Sequence, residues 1–110
     1  MNTQVSEELR HKAINAVSQY VGTKENCRER HEASIGVVIN GKEQHGVGMV
    51  FVGVTEKNVE IIIENLDALC TCYTNKFTAD SADISIINKT LQIRPRHSLC
   101  GKVVIEITAI

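Results

Sequence analysis

Two short segments carry residue types that bind metals: "CRERH" (Cys27–His31) and "HSLC" (His97–Cys100). Each offers one thiolate and one imidazole within a few residues, and four such ligands complete a tetrahedral zinc site. The candidate set is therefore Cys27, His31, His97 and Cys100. Neither spacing is that of a zinc finger, and nothing in the sequence alone brings residue 27 to residue 97. The expectation is no metal, with zinc on these four residues as the alternative. A second cysteine pair, "CTC" (Cys70, Cys72), is unsuited to one ion on a helix, because residues two apart point ~200° away from each other. Cys70 instead continues an apolar stripe as a small hydrophobe.

The same Cys and His residues could supply a nucleophile and its base, but the sequence identifies no orienting group and no oxyanion site beside them. It contains no phosphate loop, metalloprotease helix or nucleophile elbow. An enzyme is not expected. "RPRH" (Arg94–His97) is the best local basic patch. In an extended chain Arg94 and Arg96 fall on one side, where with His97 they form a candidate contact for an anion or a partner. The competing reading is a solvated strand end that keeps a sheet edge from pairing with strangers.

Composition bounds these readings. The chain has 110 residues, 43% hydrophobic and 23% charged, a composition that folds rather than staying disordered. Its length suits a single domain over residues 1–110, burying roughly 65% of the unfolded surface. Twelve Lys+Arg against thirteen Asp+Glu give a formal charge of −1, so there is no global pull toward nucleic acid or anionic lipid. The aromatic residues Tyr20, Phe51, Tyr73 and Phe77 offer no stacking platform for single strands. No apolar run approaches the ~20 residues that span a bilayer, and the first residues lack the pattern of a signal peptide. A cytoplasmic protein with reduced thiols is expected.

The elements that would position these residues follow from pattern. Ser6 with Glu7 and Glu8 starts a helix, Leu9, Ala13, Ala16, Val17, Tyr20 and Val21 give it one apolar stripe, and Gly22 ends it. "TKENCRERHE" (Thr23–Glu32) lacks apolar periodicity and is expected as an exposed connection. Ile35–Ile39 and Val47–Val54 are strands joined through Asn40-Gly41, a pair suited to a tight hairpin. From Thr55 the pattern forks. One course is a long helix on Val59, Ile62, Ile63, Leu66, Leu69, Cys70 and Tyr73; the other is a strand over Val59–Ile63 and a shorter helix from Asn65. The stripe extends over the whole segment, which favours the long helix. Three strands end the chain: Ala82–Ile87, Thr90–Ile93 and Lys102–Ile110, with a turn at Asn88-Lys89 and Pro95 closing the middle one.

The resulting order is αββαβββ, an α+β class domain with two helices on one face of a two-layer antiparallel sheet. Two family resemblances attach to it. The span Ile35–Leu69, with "INGKEQHGVG" ahead of a helix, resembles the strand–strand–helix end of a double-stranded-RNA-binding domain. Where that family opens its helix with a basic cluster, this chain has "TEKNVE" with only Lys57, so RNA binding is not implied. The element order also resembles a roadblock-type dimerisation module lacking its final helix, which implies pairing through helix and strand and scaffolding rather than catalysis.

The second strand of the hairpin is apolar on both faces: Val47, Met49 and Phe51 on one, Gly48, Val50, Val52 and Val54 on the other. Helices cover only one face, so Val50, Val52 and Val54 are the expected contact with a second copy, a symmetric dimer being the commonest form. The functional expectation is a small self-associating interaction module that binds another macromolecule without catalysis. The alternative is a protein that binds a small anionic ligand between protomers through Arg94 and Arg96.

Overall fold

The computed structural model describes residues 6–23, 26–64, 75–97 and 101–110. Helix α1 spans Glu7–Val21. Its first turn is capped by Ser6, whose Oγ accepts from the Leu9 N–H at 3.3 Å. Gly22 ends it with φ +81°, a left-handed conformation that costs glycine little, and donates its N–H to the Ser18 carbonyl at 2.9 Å. Ala13, Ala16 and Val17 are buried, as the apolar stripe requires, whereas Leu9 at its start is 39% exposed.

Seven strands follow among the described residues: β1 (Cys27–Ile39), β2 (Lys42–Val54), β3 (Val59–Glu64), β4 (Lys76–Thr78), β5 (Ala82–Ile87), β6 (Thr90–Pro95) and β7 (Val103–Ala109). They form one sheet in the order β4-β3-β2-β1-β7-β6-β5, and every neighbouring pair is antiparallel. The turns at Asn40-Gly41 and Asn88-Lys89 hold positive φ at both residues, the geometry that matches the twist of a two-residue hairpin.

The expected two-helix, two-layer arrangement is not what the chain adopts. Residues 55–58 make a tight turn: the Thr55 N–H donates to the Asn58 carbonyl at 2.9 Å, and Thr55 Oγ1 accepts from the backbone N–H groups of Lys57 and Asn58. Val59, Ile61 and Ile63 then alternate inward as β3, opposite Val54, Val52 and Val50. The remainder of the expected helix, from Asn65 through Cys70, Cys72 and Tyr73, lies outside the described residues. β1 also starts earlier than expected, at Cys27, so the charged segment "CRERHE" is strand rather than connection. With these changes the order αββαβββ fails, and both family resemblances lose the element order on which they rested.

β4 and β5 are opposite edges of the sheet, yet only Ala79, Asp80 and Ser81 separate them in the chain. So short a link forces the sheet to curl until its edges meet at this corner, giving a nearly closed, barrel-like sheet. The corner is tied by Thr78 N–H to Ser81 Oγ at 2.9 Å and by Ala79 N–H to Asn58 Oδ1 at 3.1 Å. α1 lies within the curl, touching β2 and β3 from one half of the sheet and β5 and β6 from the other. The core is the inner face of all the strands: Ile35 and Val37 with Ile105 and Ile107, then Leu91, Ile93 and Ile84, and on the other side Val50, Val52, Ile61, Ile63 and Phe77. No helix among the described residues is long and apolar enough to cross a membrane.

Candidate functional site

Val50, Val52 and Val54 belong to that core, with exposures of 0%, 0% and 1%. The apolar face of β2 that needed covering is covered by α1 and by the curl of the chain's own sheet, so Val50, Val52 and Val54 are not available to a second copy. The opposite face of β2 is the outer one. There Arg28 lies over the Phe51 ring at 5.0 Å and Arg30 pairs with Glu64 at 2.8 Å, so long charged side chains shield part of the apolar strip.

The basic patch divides between two settings. Arg94 is exposed on the outer face of β6, directly opposite Asp83 of β5. Arg96, just past the strand, is engaged by the protein itself. Its Nη2 and Nε donate to Asp83 Oδ1 at 2.6 and 3.1 Å, and its Nη1 donates to the Ala79 carbonyl at 2.7 Å. A carboxylate of the chain thus stands where an anionic ligand between Arg94 and Arg96 would sit. His97 is exposed beyond this corner.

Of the candidate zinc ligands, Cys27 and His31 sit two strand pleats apart on the inner face of β1, His97 sits at the far end of β6, and Cys100 lies outside the described residues. Among the described residues no group of three or more Cys, His, Asp or Glu is placed to hold a metal ion. His31 has a different partner. Its Nε2 lies 2.7 Å from the Tyr20 hydroxyl at the end of α1, with ring centroids 5.4 Å apart. Glu29 Oε1 is 3.5 Å from His31 Nδ1, near enough for attraction but not aligned as a hydrogen bond, so this buried nitrogen has no hydrogen-bond partner. Burial, and then the Glu29 charge, push the Tyr20 hydroxyl up to about 12. The raised value keeps the hydroxyl protonated, and its hydrogen bond with His31 Nε2 fastens the end of α1 to β1. The sequence signal for it was the alternation within "CRERHE", with Cys27, Glu29 and His31 on one face.

The site that the sequence did not point to is the edge of β5. Asn88-Lys89 closes a two-residue hairpin, so Ile87–Thr90 is a hydrogen-bonded pair, and by alternation so are Ser85–Gln92 and Asp83–Arg94. Ala82–Pro95 falls on a pair that needs no N–H from its second residue, which is where a proline fits. The backbone N–H and C=O groups of Ile84 and Ile86 therefore point away from β6, to the side flanked by α1, and meet no hydrogen-bond partner among the described residues. Beside this edge runs a groove of about 760 Å³, lined by Glu8, Lys12, Asn15 and Gln19 of α1 with Ser85 and Ile86. The side chains of Glu8 and Lys12 make no ion pair or hydrogen bond among the described residues.

The two edges of the sheet are not alike. β4 is blunted, having three residues and a Lys76–Glu60 pair at 3.1 Å. β5 has six residues, contains neither proline nor lysine, and ends on Ile87, which is 52% exposed. Its one charge, Asp83, is taken up by Arg96. No protein family, curated protein or solved structure matches the chain.

Proposed function

We propose that the chain is a small interaction module without a catalytic role, which self-associates and presents the assembled surface to another macromolecule. The observation that carries this reading is the second side of β5, where Ile84 and Ile86 hold strand hydrogen-bonding groups that no strand of the described chain uses and that only α1 flanks. Unpaired backbone groups on a six-residue edge favour completion by another chain, since each added strand satisfies them in ladder geometry. For the compartment we propose the cytoplasm, where a thiol such as that of Cys27 stays reduced.

Sedimentation velocity of the purified chain over a wide concentration range tests this directly. The expected result is a reversible dimer or higher oligomer; a monomer at every concentration overturns the reading. Native mass spectrometry of the same sample should give whole multiples of the chain mass without added zinc, and a retained metal would revive the Cys27, His31, His97 and Cys100 alternative.

A further inference from the structure

We infer that the groove between α1 and β5 binds a small zwitterion, a free α-amino acid with an apolar side chain. The inference does not rest on the self-association proposed above. A partner strand would draw on the same groups of Ile84 and Ile86, so on one copy the two occupants exclude each other. The strand wall supplies an ordered pair of hydrogen-bonding groups. Along the side of β5 that faces α1, the Ile84 carbonyl and the Ile86 N–H are neighbours, an acceptor followed by a donor, with Ser85 between them. Ile84 is only 3% exposed, and a buried backbone group without a partner costs free energy that a bound molecule recovers.

The helix wall repeats that order in charge. Glu8 and Lys12 stand one turn apart, a spacing at which they could pair with each other, yet neither is paired among the described residues. Lys12 and Ser85 line both this groove and the smaller one beside Ile84, joining the two. Leu9 lies beside Asp83 and Ile84, while Ala16 and Gln19 line the larger groove with Ile86, so helix and strand run the same way. A carboxylate and a carbonyl therefore stand toward one end, and an ammonium and an N–H toward the other. An α-amino acid matches both walls. Its ammonium donates to Glu8 and to the Ile84 carbonyl, and its carboxylate accepts from Lys12 and from the Ile86 N–H. Ala16 and Ile86 give its side chain an apolar surface, and the volume of about 760 Å³ lies in the range of small-molecule sites.

Isothermal titration calorimetry of the purified chain with L-leucine tests the site. The expected result is saturable binding of one molecule per chain. Isocaproate, which lacks the ammonium, and isoamylamine, which lacks the carboxylate, should each bind about tenfold more weakly or worse. Glu8→Gln and Lys12→Gln change exposed helix positions outside the core, and each should weaken L-leucine binding about tenfold. Amide NMR should show the Ile86 N–H shifting with L-leucine while the Asp83 N–H, held in the β5–β6 ladder, stays in place. Binding that neither variant weakens, or that leaves the Ile86 amide unmoved, overturns the site. Isocaproate or isoamylamine bound as tightly as L-leucine overturns the zwitterion. Absence of saturable L-leucine binding overturns the whole inference, and it does not bear on the sedimentation result that decides self-association.

Discussion

Tyr20→Phe removes one oxygen and leaves the ring that packs against the core. The lost bond, Tyr20 Oη to His31 Nε2 at 2.7 Å, joins the last turn of α1 to β1. His31 is only 22% exposed, and its Nδ1 already lacks a hydrogen-bond partner, so the variant leaves both ring nitrogens short of one. A net hydrogen bond contributes about 1 kcal/mol, and stranding the imidazole nitrogen raises the expected loss to about 1–2 kcal/mol. The effect has a pH signature. In the folded chain the Tyr20 hydroxyl titrates at about 12 instead of 10.0, raised by burial and then by Glu29. A raised acid favours its neutral form in the native state, so its contribution is complete below the unfolded value and falls as pH rises through the folded one. After discounting for half exposure to solvent, the wild type should lose about 1–2 kcal/mol over that alkaline window through this group. Tyr20→Phe has nothing to ionise there. Urea unfolding of both proteins at a series of alkaline pH values should therefore give stabilities that differ at neutral pH and converge toward pH 12. A gap that is absent at neutral pH, or that widens with alkalinity, refutes the account of a half-buried Tyr20 hydroxyl hydrogen-bonded to His31.

Two further substitutions test how the curled sheet is held. Phe77 is 1% exposed and faces Ile61 from the three-residue edge strand β4, so Phe77→Ala should cost about 3–5 kcal/mol, seen as a lowered urea midpoint. Arg96→Lys keeps the charge at the β4–β5 corner but not the fork that reaches both Asp83 and the Ala79 carbonyl. It should cost about 1–2 kcal/mol and speed amide hydrogen exchange at residues 79–81 before it does so elsewhere; uniform protection in the variant would contradict the corner's role.

The local turn chemistry was legible in the sequence. Asn40-Gly41 and Asn88-Lys89 both hold the positive φ that their hairpins need, and the capping residues Ser6 and Gly22 bound the helix as expected. The segment after Thr55 was not legible, for a reason visible in its side chains. A threonine that caps a helix and one that closes a tight turn use the same bonds, its hydroxyl accepting from backbone N–H groups two or three residues on. Thr55 does this from a turn. The "VEIII" that follows satisfies both periods, since Val59, Ile62 and Ile63 mark a helix face while Val59, Ile61 and Ile63 mark a strand face. Pairing decided between them, through Val50, Val52 and Val54 opposite, and that long-range contact has no local sequence mark.

The same kind of non-local fact hid the site. "CRERHE" carries no apolar periodicity, because at this end of β1 the inward positions Cys27, Glu29 and His31 bear a thiol, a carboxylate and an imidazole, and their half-burial follows from pairing with β2. Val50, Val52 and Val54 looked like a contact surface because either face of β2 could have been the core, and the curl of the sheet chose between them. The open edge is further still from the sequence. "ADISII" would be an interior strand if another strand lay beside it, and it is an edge because β7 returns to pair with β1 and leaves the β5–β6 hairpin at the end of the order. Glu8 and Lys12 look from sequence like an ordinary surface pair within one helix. Only when α1 is laid along β5, with those two charges unpaired beside its unused backbone groups, do helix flank and strand edge become one surface.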